Sequence, residues 1–341
     1  NKLWNASRFV MMNLDEGLDR DAFERECLTA DGLDRLGAAD RWILARSVEV
    51  AREVGELLGA FRLDLAAHAI YQFVWYELCD WYLELAKTGL GEGATEETRR
   101  ITQGTLVTAL DLVLRVLHPF VPFITEEIWQ QLPRREGDPA SLMIAAYPEV
   151  TAWSGDDEAR RPETMAGPIA AVGALLGSRA VAEAREQIAR VIDVVNAARS
   201  LKAKVKLSLG KRVDVMVRAG ATEAATIGGM EAQICFLARL SGLQVIGPED
   251  EAPREAISEV VRGVEVILPL AGVVDVAAER ARLEKEIARF EKDAASLDKK
   301  LQNPGFRAKA PAEVIAKDEA RLASFQESLA VLRATLERLG G

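Results

Sequence analysis

Two stretches of this 341-residue sequence gather positive charge with no acid among it. Arg199, Lys202, Lys204, Lys206, Lys211 and Arg212 fall between Asp193 and Asp214, and Lys299, Lys300, Arg307 and Lys309 fall between Asp298 and Glu313. Ammonium and guanidinium groups at that density can neutralise a few phosphates, which is the chemistry of a face that binds a polyanion. A plainly solvated basic face would give either run alone. Two of them in a chain of net charge −10 favour the polyanion.

Other chemistry finds no foothold. His68 and His118 lack metal-spaced partners, and His118 stands before a proline in an apolar stretch, which suits a structural role. Gly210-Lys211 would end a phosphate-binding loop, but Val205 occupies the place of its first glycine, and Gly89–Gly93 matches no dinucleotide fingerprint. Glu126-Glu127 reads as helix N-terminal charge rather than an acid–base pair. No nucleophile signature occurs, so no catalytic residue, metal site or cofactor is expected in this chain. Cys27, Cys79 and Cys235 are far apart and odd in number, as expected of reduced thiols in a cytoplasmic protein. No apolar run is long enough to span a membrane.

The elements that must position these charges are mainly α-helical. Residues 1–133 read as an up-and-down helical bundle. Its helices are expected from Lys2 to Met12, from near Ala39 through Ile43, Val50, Val54 and Leu57, and along the stripe Ala66, Ile70, Phe73, Val74, Leu78, Trp81 and Leu85. A fourth runs from Leu106 to Leu117 and stops before His118-Pro119, and a short one lies between Pro122 and Pro133. This part holds 15 basic and 25 acidic side chains, counted to residue 150, against 28 of each in the remainder. Pro139, Pro148, Ser154, Gly155 and Pro162 make 134–162 a linker. A small α+β domain follows at 163–275: a helix over 180–200, a strand alternating at Val213, Val215 and Val217, a helix from Ala232 to Leu240, and strands at 243–246 and 264–268.

Residues 276–341 carry the cleanest periodicity. Leu283, Ile287, Phe290, Ala294, Leu297 and Leu301 step by four and three, and so do Leu322, Phe325, Leu329, Leu332, Leu336 and Leu339. Asn303-Pro304-Gly305 between them stops a helix. Two such seams can bury each other by folding back into an antiparallel coiled-coil hairpin on the order of 36 Å long. An intermolecular coiled coil is the alternative; the Pro-Gly turn favours the intramolecular one and hence a monomer. The hairpin would carry Lys299, Lys300, Arg307 and Lys309 at its tip.

Several segments resemble one family. Asn1-Lys2-Leu3-Trp4-Asn5-Ala6-Ser7-Arg8-Phe9, the run Ile70-Tyr71-Gln72-Phe73-Val74-Trp75-Tyr76-Glu77-Leu78-Cys79-Asp80-Trp81-Tyr82-Leu83-Glu84, and Leu117-His118-Pro119-Phe120 with Pro122-Phe123-Ile124-Thr125-Glu126-Glu127-Ile128-Trp129 are similar to the anticodon-binding helical domain of bacterial class I valyl-tRNA synthetases. Asn303-Pro304-Gly305-Phe306 and Ala310-Pro311-Ala312-Glu313-Val314-Ile315 resemble their coiled-coil arm. The resemblance covers essentially the whole chain.

What the resemblance implies is a tRNA-gripping C-terminal part of such an enzyme. ATP, Mg²⁺ and the joining of valine to tRNA(Val) belong to a catalytic domain not contained here, which would be a partner within the full-length enzyme. The absence of an initiator Met fits such a fragment. The bundle would meet the anticodon stem-loop through Arg8 and Phe9, with Lys2 and Asn5 as companions, and the arm would lie along the tRNA elbow. Arg321 stands where the family has an elbow-contacting arginine, whereas Ser296 replaces a position that is sometimes basic. Arg199–Lys206 matches a segment that usually carries a basic pair. The alternative is a stand-alone, non-catalytic helical RNA-binding or scaffold module derived from a synthetase.

Overall fold

The computed structural model describes residues 1–148, 172–173, 176–208, 210–271 and 276–302, with single positions between 315 and 336; for 276–283 and 286 it describes the backbone alone. The chain divides into two compact units, Asn1–Val195 with Gly229–Leu237 and Asn196–Gly228 with Ala238–Gly341.

The first unit is the bundle. Its helices are α1 (Lys2–Met12), α2 (Arg20–Cys27), α3 (Ala38–Gly59), α4 (Leu63–Gln72), α5 (Leu83–Leu90), α6 (Glu96–Leu117) and α7 (Pro122–Trp129), with 3-10 turns at Gly32–Arg35 and Leu142–Ile144. The element α6 is its axis. Thr95 caps it by accepting from the Thr98 N–H at 3.1 Å, and Glu96 and Glu97 suit its positive end. Every residue from Ile101 to Val116 is buried, so this helix is enclosed on all sides. Gly104 is what admits α2: a Cβ there would lie 2.4 Å from the Phe23 ring.

The enclosed helix brings polar groups inward, and they are paired. Asp111 accepts from Arg20 at 3.0 Å, Arg115 at 3.1 Å and the Trp129 indole at 2.7 Å, with Arg135 3.3 Å away. Burial opposes its charge, but Arg20, Arg115 and Arg135 outweigh that and hold the carboxyl below its ordinary range. Arg135 and Asp138 belong to the stretch after Pro133. Together with Leu142, whose N–H donates to Glu126 at 2.9 Å, they lay residues 134–148 against the bundle.

The long apolar stripe forms one rod from Leu63 to Leu90, but Phe73–Tyr82 within it is π-helical. Trp75 and Tyr76 are exposed on it, while Phe73, Val74 and Leu78 stay buried. Besides the turn at Leu142–Ile144, which lies in the expected linker, two elements escape the sequence pattern in this unit. α2 has Arg20 at an inward position, which breaks its apolar period. The turn at Gly32–Arg35 is too short to carry one.

After the bundle, α8 runs over Arg179–Lys204. The second unit holds a four-stranded sheet in the order β2-β1-β4-β3, with β1 (Val213–Arg218), β2 (Leu240–Ile246), β3 (Ala256–Val261) and β4 (Val264–Pro269). β1 and β2 are parallel; β4 is antiparallel to both β1 and β3. Arg262 and Gly263 close the β3–β4 hairpin with φ of 44° and 74°, the doubly left-handed turn that matches strand twist. Along the chain α9 (Ala221–Gly229) and α10 (Glu231–Ala238) separate β1 from β2. β3 was unforeseen because it is an edge strand with no buried face: Val260 is 69% exposed.

The final helix, α11, spans Val276–Gln302 and stops where Asn303-Pro304-Gly305 begins. The described positions between 315 and 336 are helical. Lys300 pairs with Asp318 at 2.8 Å, Phe290 meets Phe325 edge-to-face with centroids 5.6 Å apart, and Arg333 pairs with Glu291. Partners late in α11 meet early positions of the return and earlier ones meet later positions, so the two stretches run antiparallel. Ile287, Leu301 and Leu329 are buried along the seam.

Candidate nucleic-acid interface

α1 buries Ala6, Ser7 and Val10 and turns the opposite side to solvent. Asn5 and Arg8, three apart and therefore neighbours on that side, are exposed, and neither side chain has a hydrogen-bond or ion partner among the described residues. Trp4, 36% exposed, and Met12, 76% exposed, extend the same stripe at i, i+4 and i+8 with Arg8. A free guanidinium flanked by an aromatic ring and a thioether can meet a phosphate and a splayed base together. Trp4 is not among the candidates read from the sequence; its spacing of four from Arg8 is the signal that puts it on the same exposed stripe.

The other α1 residues are placed differently. The Phe9 ring is half-buried, with the Lys87 ammonium 5.7 Å from its centroid. The Lys2 ammonium lies 2.7 Å from Asp80 Oδ1, 3.3 Å from the Trp75 carbonyl and 3.9 Å from the Trp75 ring centroid. Its charge is matched locally and it ties α1 to the π-helical segment.

The Arg199–Arg212 run does not form one basic face. Lys202 is 2% exposed, and its ammonium donates to the carbonyls of Ala238 at 3.2 Å and Arg239 at 3.1 Å. Burial, then Arg239, Arg199 and Arg212, lower its pKa. That corrects the expectation for Lys202: a buried ammonium already satisfied by two carbonyls is not available to a phosphate. The Lys204 ammonium is 2.7 Å from Glu259, whose carboxylate also accepts from Ser200 at 2.9 Å. Those two contacts, Lys204 first, hold Glu259 below its ordinary pKa. Lys206 is exposed and stands in the left-handed region at φ 53°, where its N–H reaches the Ala203 carbonyl and the Leu207 N–H that of Lys202. This closes α8 with a double-bonded C-cap. Arg199, Lys206, Lys211 and Arg212 remain exposed.

On the arm, Lys299 and Lys300 are exposed near the end of α11, with Lys300 paired to Asp318 and Ser296 exposed one turn earlier. Arg307, Lys309 and Arg321 lie outside the described residues. His118 Nδ1 and Thr125 Oγ1 are 2.8 Å apart, pinning the turn into α7, and the described residues contain no group of three potential metal ligands. No helix among them is long and apolar enough to cross a membrane.

The family models match the chain from α3 onward, including the Arg199–Arg212 run and the arm. Residues 40–217 match the family model described as the anticodon-binding domain of tRNA ligase. The chain belongs to that family. Residues 275–340 match a second model, the valyl tRNA synthetase tRNA binding arm. Along 99% of its length the chain is 38% identical to a valine–tRNA ligase of Syntrophotalea carbinolica and 40% identical to that of Symbiobacterium thermophilum. A third such ligase, from Geobacter sulfurreducens, is 37% identical. The chain spans about a third of these relatives, 34–35% of their length. The resemblance seen in the sequence thus holds, as does the mainly α, multidomain fold class.

Proposed function

We propose that this anticodon-binding-family chain grips tRNA(Val) as the C-terminal part of a valine–tRNA ligase. The bundle would hold the anticodon stem-loop through Arg8, Asn5 and Trp4, with Phe9 beside them, and the arm would follow the elbow with Lys299, Lys300, Arg307, Lys309 and Arg321. ATP-dependent joining of valine to tRNA would reside in the part of such an enzyme that this chain does not span, with Mg²⁺ as its ion. The work would be cytoplasmic, and a monomer suffices because the arm covers its own seam. The observation that carries the reading is the succession of both family segments on one chain, each bearing exposed cations. Arg199, Lys206, Lys211 and Arg212 support it as further backbone contacts.

Salt-dependent binding of the chain to tRNA(Val) and to a non-cognate tRNA tests this reading. Tighter binding to tRNA(Val), with preference lost when the anticodon is exchanged, is the expected result. Equal affinity for both would remove the anticodon assignment, and no salt dependence would remove the phosphate contacts.

A further inference from the structure

Cations gather at one corner of the second unit, and backbone carbonyls rather than carboxylates hold them there. The buried Lys202 ammonium donates to the carbonyls of Ala238 at 3.2 Å and Arg239 at 3.1 Å, where α10 ends. Arg212, just before β1, donates one N–H to the carbonyl of Leu240 at 3.4 Å. Three consecutive carbonyls are thus gripped by two cations, and the middle residue is itself a third cation, Arg239. After burial, what lowers the Lys202 pKa is Arg239, Arg199 and Arg212, with no carboxylate acting against them. Glu259, the acid on β3 that meets this end of α8, is occupied by Lys204 and Ser200. Asp214, the first acid along β1, lies against Gly242, farther up β2.

Helix ends account for only part of this charge. A helix C-terminus carries about half a negative charge, so the ends of α8 and α10 together call for about one cation. Lys202 supplies it. Arg212 and Arg239 are surplus, and both are exposed. Arg239 also stands in the left-handed region at φ 52°, where glycine is the usual residue after a helix. A glycine would end α10 without that strain and without adding to the repulsion around Lys202. What the arginine brings instead is a guanidinium with no hydrogen-bond or ion partner among the described residues. Arg212 spends one of its five N–H donors on Leu240 and keeps the rest. Planar forks with spare donors, set where no carboxylate competes, match the oxygens of a phosphate. Arg239 lies outside both family segments, 40–217 and 275–340.

We propose that Arg212 and Arg239 form a phosphate site for the RNA backbone, seated on the carbonyls that Lys202 holds and blind to base sequence. The proposal deepens the functional reading above and rests on it, and its test separates the two. Binding of the 341-residue chain to tRNA(Val) and to an unrelated tRNA would be titrated across salt. The variants are Arg239→Gly, Arg239→Lys, and Arg239→Gly with Arg212→Gln. Glycine suits φ 52°, so Arg239→Gly should unfold at the parent's urea midpoint or above it. Its slope of log affinity against log salt should nonetheless fall by about 0.7–0.9, and that of the double variant by about twice as much. Arg239→Lys should keep the slope, since an ammonium still neutralises a phosphate. The falls should be equal for both tRNAs, because a phosphate contact carries no base identity. Unchanged slopes in the glycine and double variants overturn the proposal. A fall confined to tRNA(Val) also overturns it and would make Arg239 a base reader. An equal fall in Arg239→Lys and Arg239→Gly overturns it in favour of a purely structural role. Calorimetry with inorganic phosphate at matched ionic strength separates the two sources of phosphate. Phosphate bound by the parent and lost in the double variant, with the tRNA slope unmoved, would replace the RNA site by a free-anion site. If both tRNAs bound alike while the variants still lost slope, the anticodon reading would fail and this site would stand.

Discussion

Asp40 and Asp111 are both buried in the bundle, and their surroundings give them opposite character. Asp111 sits among Arg20, Arg115 and Arg135 and stays ionised below its ordinary pKa. Asp40 receives the Tyr82 hydroxyl at 2.7 Å, and burial without a comparable cation pushes its pKa up to about 6. Depth is therefore not what decides the charge of a buried acid here; the number of guanidinium groups within reach is. The same distinction runs through the cations. Arg20, Arg115, Arg135 and Lys202 are held by the fold, while Arg8, Lys206 and Lys299 are left facing solvent. Only the second group is available to a nucleic acid.

The sharpest way to break this contrast is to remove Asp111. Asp111→Ala leaves three guanidinium groups crowded in the bundle without their shared acceptor and strands the Trp129 indole donor. Losing one side of a buried charge cluster costs about 3–5 kcal/mol. Urea unfolding should show a large drop in midpoint, or no stable bundle at all. Asp40→Asn should do far less, since the amide oxygen still accepts from Tyr82.

The two acids should also separate by pH. Asp40 binds its proton more tightly folded than unfolded, so its contribution to stability falls as pH rises from its ordinary 3.8 through about 6. The difference is about 3 kcal/mol at most, from the 1.36 kcal/mol per unit relation. Asp111 acts in the reverse sense: its stabilisation is present above the ordinary carboxylate range and is lost as pH falls through its lowered value. Unfolding of Asp40→Asn at pH 4.5 and pH 7 should therefore show less loss of stability toward neutral pH than the parent. An unchanged profile would mean that Asp40 is already charged, and solvated, in the folded bundle.

These surroundings differ in how far they could be read from the letters. The heptad steps of the arm and the stripe from Ala66 to Leu85 are local, and local periodicity is what a sequence displays directly. Asp111 and Arg115 are four apart on one helix, yet Arg20 and Arg135 come from elements far along the chain. No spacing rule joins them. The acid-free stretch from 194 to 213 was persuasive for the same reason that it misled at Lys202. Its neutralising groups are two backbone carbonyls, which carry no letter, and the acid that pairs with Lys204 is Glu259 on β3. The π-helical turn was likewise hidden, because an apolar stripe continues through it without a break in composition. Arg8 was legible because the residues inward of it, Ala6, Ser7 and Val10, are small or apolar and fix which side faces out.

Lys202→Met tests a cation held by the fold. The methionine keeps the apolar stem and removes donation to Ala238 and Arg239, so stability should fall by about 1–2 kcal/mol. The slope of log affinity for tRNA against log salt should not move. A slope reduced by one phosphate contact with stability intact would reverse the assignment and return Lys202 to the interface.

The smallest effect on the fold, and the most telling for function, belongs to Arg8. Arg8→Gln alters an exposed side chain with no partner among the described residues, so the unfolding midpoint should shift by less than about 0.5 kcal/mol. Binding should respond all the same. Loss of one phosphate contact lowers the salt slope by about 0.7–0.9, the range for single- and double-stranded nucleic acid. If Arg8 also touches a splayed base, discrimination between tRNA(Val) and an anticodon-exchanged tRNA should narrow in the same variant, and Arg8→Lys should restore the slope but not the discrimination, because an ammonium lacks the planar fork. A slope restored together with the discrimination would make Arg8 a point charge and leave base recognition to Trp4.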